Sequence, residues 1–90
     1  MSTPLTIELF SASSCSRCSK AKKQIRQLLD EFNTETIAYS ELNVLEELDY
    51  AVSLGILTTP SIAMDGKLIF STLPSMKKLR HKIQQHLENK

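Results

Sequence analysis

Cys15 and Cys18 are the two cysteines of this 90-residue chain, and only Ser16 and Arg17 separate them. A disulfide between residues so close in sequence closes almost no loop, so it would contribute little to the stability of the fold. Small secreted domains that depend on disulfides carry several spaced cysteines, which this chain lacks. The pair is therefore a candidate for thiol–disulfide chemistry, for part of a metal site, or for a structural role without chemistry.

A metal site would need more ligands than the two cysteines provide, because structural zinc is held by about four cysteine or histidine side chains. The two histidines, His81 and His86, lie far along the chain among basic residues, a pattern that indicates surface positions on a helix. Their spacing from the cysteines matches no compact zinc-binding motif. Redox chemistry is therefore the favoured interpretation, and no metal is assigned.

The flanking segments place the cysteine pair between a strand and a helix. Residues 5–10 alternate apolar and polar side chains, which is typical of a strand. Residues 11–14 are small and polar, as in a loop that ends in a helix N-cap. Apolar residues then recur at helical spacing, and Asn33 and Thr34 break the pattern. These apolar residues are Cys18, Ala21, Ile25, Leu28, Leu29 and Phe32.

This placement predicts different roles for the two thiols. Cys15 falls at the helix N-terminus, where the helix dipole lowers the pKa of a thiol, and Arg17 adds a nearby positive charge. An alternative for Arg17 is an ordinary solvated helix residue. Cys18 falls on the apolar stripe and should be buried. We therefore predict Cys15 as the nucleophile and Cys18 as the resolving thiol of a disulfide exchange.

The rest of the chain alternates strands and helices without a repeat or a linker, which predicts an α/β fold with helices on the faces of one sheet. We interpret residues 1–90 as a single domain. The further predicted elements are a strand within 35–44, a helix over 45–54 that ends at Gly55, strands over 61–64 and 67–70 joined by a turn at Asp65 and Gly66, and a last helix opened by Pro74. The predicted apolar face of the second helix uses Leu45, Leu48, Ala51, Val52 and Leu54, and that of the last helix uses Met76, Leu79, Ile83 and Leu87.

Three segments resemble the thioredoxin/glutaredoxin superfamily at that family's spacing. They read Ile-Glu-Leu-Phe-Ser-Ala-Ser-Ser-Cys-Ser-Arg-Cys from residue 7, Gly-Ile-Leu-Thr-Thr-Pro-Ser-Ile from residue 55, and Asp-Gly-Lys-Leu-Ile-Phe from residue 65. The resemblance covers nearly the whole chain and is closest to the compact, glutaredoxin-sized thioredoxins of prokaryotes. It implies the order β-α-β-α-β-β-α, with a four-stranded mixed sheet flanked by three helices. It also implies a cis Thr59–Pro60 bond beside the sulfurs, with the Thr59 backbone binding an extended substrate segment.

The chain departs from the family pattern around the cysteines. Thioredoxins carry tryptophan before the first cysteine and Gly-Pro between the two, whereas this chain has Ser14, Ser16 and Arg17. The family's buried aspartate corresponds to Leu9. The Gly-Gly pair of glutaredoxins is missing from residues 70–75, which argues against glutathione binding.

Glu41 stands where the family has a lysine partner for that aspartate. One interpretation is a buried carboxylate of raised pKa that accepts a proton from Cys18 during resolution. The alternative is a plain solvent-facing strand residue, because carboxylates are rarely buried without a partner.

The sequence therefore predicts a protein disulfide oxidoreductase whose only redox group is the Cys15–Cys18 pair, without a bound cofactor. Its partners would be disulfide-containing proteins and, as electron donor, a separate reductase or glutathione. Two alternatives stay open at this point. One is a glutathione-dependent glutaredoxin or a related iron–sulfur carrier, and the other is a non-catalytic binding module with the same fold.

Charge and hydropathy limit which partners and which cellular location are expected for this protein. The net charge of +1 averages a basic block over residues 17–26, an acidic block over 30–65 and a basic block over 67–82. These blocks are either solvated helix faces or surfaces that steer a partner. Aromatic residues are not interleaved with the basic ones, which argues against a nucleic-acid partner. The sequence shows neither a signal peptide nor a long apolar run, so we expect a cytoplasmic protein that has no membrane partner. We also expect a monomer.

Overall fold

The computed structural model describes residues 4–13, 15–32 and 36–88. They form strands β1 (Leu5–Ser11), β2 (Ile37–Asn43), β3 (Ser61–Met64) and β4 (Lys67–Phe70), and helices α1 (Ser16–Leu29), α2 (Leu48–Leu54) and α3 (Met76–Glu88). The sheet order is β2-β1-β3-β4, with β1 parallel to β2 and antiparallel to β3, and with β3 antiparallel to β4. The predicted four-stranded mixed sheet and three helices are confirmed.

Alternation along β1 separates the apolar core into two parts. Leu5, Ile7 and Leu9 are fully buried on the face that α1 and α3 cover. Phe10 points to the opposite face and is buried with Ala51 of α2. Both edges of β1 are paired, with β2 and with β3, and an apolar cluster covers each of its faces. Its carboxyl end leads directly towards the cysteines.

Helix α1 has the buried stripe that its periodicity predicts. Cys18, Ala21, Ile25, Leu28 and Leu29 are all buried, and Phe32 is partly buried against the same core. The helix ends at Leu29, earlier than predicted, with Asp30 as its C-cap. The predicted break at residues 33–34, the start of the second predicted strand at residue 35 and the predicted cap at residue 14 lie outside the described residues.

Helix α2 is shorter and less buried than predicted. It begins at Leu48 instead of Leu45, and of its seven residues only Ala51 is buried. Gly55 ends the helix with φ +83°, a left-handed conformation that glycine adopts without a steric cost. A helix of two turns presents too little surface to bury all the apolar residues of its segment. The predicted apolar face is therefore wrong at Leu45, Leu48 and Val52, which are exposed.

The second half of the chain follows its turn signals closely. Asp65 and Gly66 join β3 to β4 with φ values of +53° and +79°, as a tight hairpin turn requires. Asp65 also accepts a hydrogen bond at Oδ1 from the Thr6 backbone N–H, at 3.1 Å. Pro74 does not open α3, because Ser75 occupies the cap position and accepts the Lys78 N–H at Oγ, at 3.2 Å. Of the predicted stripe of α3, Leu79 and Ile83 are buried, and Met76 and Leu87 are partly buried.

Candidate active site

Cys15 and Cys18 form a disulfide at the junction of β1 and α1. Cys15 is the N-cap residue of α1, in an extended conformation with φ −93° and ψ 108°, and its N–H donates to the Ala12 carbonyl at 3.2 Å. The Cα atoms of the two cysteines are 5.4 Å apart, a normal separation for a disulfide. Cys15 is half-buried, whereas Cys18 is only 3% exposed. The thiols therefore differ in accessibility as the helical pattern predicts.

The start of α1 provides a favourable place for negative charge. The Cys15 side chain makes no capping hydrogen bond, and the first turn of α1 contains no acidic residue. The unpaired N–H groups of the first turn and the helix dipole therefore act on the Cys15 sulfur without a competing anion. Arg17 is exposed beside Cys15 and lines the same open cleft. A reduced Cys15 would gain stabilisation of its thiolate form here.

The peptide bond between Thr59 and Pro60 is cis. Pro60 is buried, and Thr59 is half-buried at the edge of the cysteine cleft. This cleft has a volume of about 430 Å³ and is lined by Ala12, Cys15, Ser16, Arg17 and Thr59. The structure therefore brings the predicted nucleophile and the Thr59 backbone to one open surface.

The loop around Pro60 is held by hydrogen bonds from hydroxyl groups on either side of the proline. The sequence did not lead us to expect these bonds. Thr58 donates from Oγ1 to the Ser71 carbonyl at 2.7 Å, and Ser61 donates from Oγ to the Thr58 carbonyl at 2.5 Å. The clustered threonine and serine residues around Pro60 are a signal for such side-chain to backbone bonds. The bond to Ser71 could not be foreseen because it joins residues from different segments.

Glu41 lies on β2, where two side chains hold its carboxylate. Arg26 of α1 donates from Nε at 2.9 Å and from Nη2 at 2.6 Å, and the Tyr39 hydroxyl donates at 2.7 Å. Burial by itself would raise the pKa of Glu41. The hydrogen bonds from Tyr39 and Arg26, together with the charges of Arg26 and Lys22, outweigh burial, so the pKa is lowered.

These contacts correct the interpretation of Glu41 as a carboxylate of raised pKa. A carboxylate with a lowered pKa is a weak proton acceptor, and two donors already occupy this one. Glu41 lines a separate open depression with Arg26 and Tyr39, and Cys15 and Cys18 are not part of that lining. The pKa of Tyr39 is raised, first by burial and then by its bond to Glu41.

Leu9, which stands where the family has an aspartate, is fully buried and pairs with Glu41 in the β1–β2 register. A leucine cannot bind a proton, and the Glu41 carboxylate is already bonded to Arg26 and Tyr39. Neither position therefore supplies an unoccupied buried carboxylate to the cysteine pair.

The described part of the chain contains no group of three or more His, Cys, Asp or Glu side chains that could hold a metal ion. His81 is exposed and His86 is half-buried, both on α3. Within the same described residues, no helix is long and apolar enough to cross a membrane.

Comparisons with known proteins agree with this geometry. A family model described as a thioredoxin domain matches residues 5–84. The thioredoxin of Methanocaldococcus jannaschii is 28% identical over 81 residues, which cover 90% of this chain and 94% of that protein. A probable thioredoxin of Methanothermobacter thermautotrophicus is 25% identical over 84 residues, which cover 93% of this chain and 98% of that protein.

Solved structures share the same fold. Thioredoxin 1 from Thermosipho africanus superimposes with a TM-score of 0.73 at 24% identity, covering 94% of this chain and 99% of that one. A mutant thioredoxin from Halobacterium salinarum superimposes with a TM-score of 0.80 at 18% identity, covering 94% of this chain and 76% of that one. The family match, the fold and the paired sulfurs at the start of α1 lead to one conclusion. The chain belongs to the thioredoxin domain family and is a protein disulfide oxidoreductase whose redox pair is Cys15 and Cys18.

Proposed function

We propose that reduced Cys15 is the nucleophile that attacks the disulfide of a protein substrate. The observation that carries this assignment is the contrast between the two sulfurs. Cys15 is half-buried in an open cleft at the positive end of α1, and Cys18 is buried one turn later. The Cys15 thiolate bonds to one substrate sulfur, the substrate disulfide breaks, and the other substrate sulfur leaves as a thiolate.

Cys18 completes the reaction as the resolving thiol. After losing its proton to solvent, its sulfur attacks Cys15 and forms the Cys15–Cys18 disulfide, while the second substrate sulfur leaves. Two electrons have then passed from the cysteine pair to the substrate, which takes up two protons from solvent. The disulfide in the structure, whose Cα atoms are 5.4 Å apart, is the product of this step.

Thr59 and Pro60 are the proposed substrate-binding residues, and Arg17 is a proposed electrostatic aid to Cys15. An extended substrate segment would pair with the Thr59 backbone at the edge of the cleft. The bonds of Thr58 and Ser61 support this role, because they hold the loop in place before a substrate arrives. Glu41 is left out of the proton steps because of its lowered pKa.

The proposal also covers the electron donor, the oligomeric state and the cellular location. Oxidised protein needs a donor of two electrons, and we propose a separate reductase, with glutathione as the alternative donor. We further propose that residues 1–90 act as one domain, as a monomer in the cytoplasm, without a metal or an organic cofactor. The family's implied protein substrates and reductase agree with a chain whose redox group is its own cysteine pair.

Trapping a reaction intermediate tests these roles. The Cys18→Ser variant should accumulate a mixed disulfide between Cys15 and a disulfide-containing protein such as insulin, and mass spectrometry would identify the bond. Cys15→Ser is the matched control and should trap nothing. Equal trapping by both variants would refute the assigned roles. Full activity of the double Cys→Ser variant would instead refute redox chemistry, and donor assays with a thioredoxin reductase or glutathione would identify the electron source.

A further inference from the structure

The described residues include four large apolar side chains that are mainly exposed, and all lie between residues 45 and 57. Their exposed fractions are 71% for Leu45, 51% for Leu48, 66% for Val52 and 94% for Leu57. Leu48 and Val52 are neighbours on one face of α2, one helical turn apart. Leu48 and Leu57 line the same cleft. A cluster of this kind indicates an interaction site, whereas scattered exposed apolar residues do not.

This cluster is continuous with the cleft at Cys15. The cleft between Leu48 and Leu57 extends to Thr59, and Thr59 also lines the cleft at Cys15. A third depression continues from Leu48 to Leu45. The three depressions therefore adjoin one another, at Thr59 and at Leu48, from the nucleophile to the start of α2.

Acidic side chains accompany the apolar ones. Glu46, Glu47 and Asp49 are exposed and line the depression beside Leu45 and Leu48. No lysine or arginine occurs in residues 27–66, so nearby cations of the same segment do not neutralise them. These acidic residues, together with the four exposed apolar ones, are called the α2 surface below.

Basic residues of α1 follow Cys15. Arg17 is exposed in the first turn and lines the cleft at Cys15, and Lys20 is exposed further along the helix. The cleft at Cys15 therefore carries a basic residue of α1, whereas the charged residues of the α2 surface are acidic. A partner that covers the α2 surface must bring apolar and basic side chains to it, because acidic ones would be repelled.

We propose that the α2 surface binds the disulfide-bearing protein substrate through an apolar, basic segment that flanks the substrate disulfide. This inference rests on the oxidoreductase function above and names its substrate class. The substrate is the committed occupant because the surface leads to Cys15, which a substrate sulfur must reach. A second copy of the chain is the competing occupant, since α1 carries a basic face of its own.

Paired peptide disulfides test the charge preference. Two peptides share one disulfide and one set of leucines, and differ only in flanking lysines or glutamates. We expect the full chain to reduce the lysine peptide faster by about tenfold at low salt. The difference should shrink at high salt, because screening weakens interactions between exposed charges. Equal rates for the two peptides would overturn the proposal.

Charge-reversal variants locate the preference on the molecule. Glu46→Lys combined with Glu47→Lys should abolish or reverse it. Glu46→Lys alone and Asp30→Lys are the matched pair, because each changes the charge equally and Asp30 is also exposed but lies at the other end of α1 from Cys15. Asp30→Lys, as the control, should keep the wild-type preference. Loss of the preference in the control, or its survival in the double variant, would show that the α2 surface does not select the substrate.

Apolar variants separate binding from chemistry. Leu48→Ser combined with Leu57→Ser should raise the KM for the lysine peptide by about tenfold. The rate with a small aromatic disulfide should stay unchanged, because such a reagent contacts only the cleft at Cys15. A wild-type chain inactive on the small disulfide would refute the oxidoreductase function itself. A wild-type dimer that Leu48→Ser dissociates, seen by sedimentation velocity, would assign the surface to self-association and overturn the proposal.

Discussion

Replacing Glu41 with glutamine separates a structural role for this carboxylate from a role in proton transfer. The carboxylate accepts hydrogen bonds from Arg26 at 2.9 and 2.6 Å and from Tyr39 at 2.7 Å. The two bonds from Arg26 join α1 to the edge strand β2, and the bond from Tyr39 lies within β2. Glutamine keeps the shape and one acceptor oxygen but removes the charge. Glu41→Gln should therefore weaken the connection between helix and strand and leave disulfide exchange intact.

The loss of stability expected for Glu41→Gln depends on how exposed the Glu41 and Tyr39 side chains are to solvent. The Glu41 side chain is 21% exposed and Tyr39 is half-buried, so the bond between them is only partly screened by solvent. A hydrogen bond to a charged group in such a position contributes about 1 kcal/mol after that screening. We expect Glu41→Gln to lower the free energy of unfolding by about 1 kcal/mol, or the melting temperature by about 4–8 °C for a chain of this size.

The effect should also depend on pH. The pKa of Glu41 is lowered in the folded protein from its ordinary value of 4.5. The folded state therefore holds the carboxylate charged where the unfolded chain begins to bind a proton. The resulting stabilisation is present above the ordinary value and is lost as the pH falls through the lowered pKa. The difference between wild type and Glu41→Gln should be full at neutral pH and should shrink in acid.

Two measurements check this reasoning. Urea denaturation across pH gives the stability difference, with Tyr39→Phe completing a double-mutant cycle that should show coupling to Glu41. Stopped-flow resolution of a mixed disulfide should give rates for Glu41→Gln within about twofold of wild type, since the carboxylate transfers no proton. A large loss of resolution rate at wild-type stability would refute the structural assignment. A stability difference that does not change with pH would refute the lowered pKa.

Further predictions concern the core, a turn and the tyrosines. Ile25→Ala removes a fully buried α1 side chain and should cost about 2–5 kcal/mol by urea denaturation, whereas the exposed Val52→Ala should stay within about 0.5 kcal/mol. Gly55→Ala meets no atom within 4 Å, so its cost should be the left-handed backbone alone, about 1 kcal/mol by thermal unfolding; a much larger cost would reveal a clash. Tyr50 donates a hydrogen bond from its hydroxyl to Glu8, and this bond, followed by burial, raises the pKa of Tyr50 from 10.0 to about 12. The stabilisation that the protonated hydroxyl gives the folded protein is therefore full below the ordinary pKa and is lost as the pH rises through the raised pKa. Ultraviolet titration should show tyrosinate only well above pH 10.0, the ordinary tyrosine value, and Glu8→Gln should lower the pKa of Tyr50; titration at the ordinary value would contradict the bond.

Patterns between near neighbours were sufficient to predict most of the scaffold. The alternation of residues 5–10, the helical stripe that starts at Cys18 and the Asp65–Gly66 turn depend on local geometry, which a sequence displays directly. The same local reasoning placed Cys15 at the start of a helix and Cys18 on its buried side. The cysteine pair could be placed from the sequence because its position depends on one strand, one loop and the first turn of one helix, whereas the distant Thr59 and Pro60 were expected only from the family resemblance.

Residues far apart in sequence decided what the local patterns could not. Glu41 has a lowered pKa because Arg26 reaches it from α1, and no spacing rule relates a helix residue to that strand position. Leu48 and Val52 fit an apolar helix face, yet they are exposed, because burial depends on how much of the sheet a short α2 can cover. Periodicity shows which side chains could be buried together. Only the tertiary structure decides which of them find a partner and which remain available to another protein.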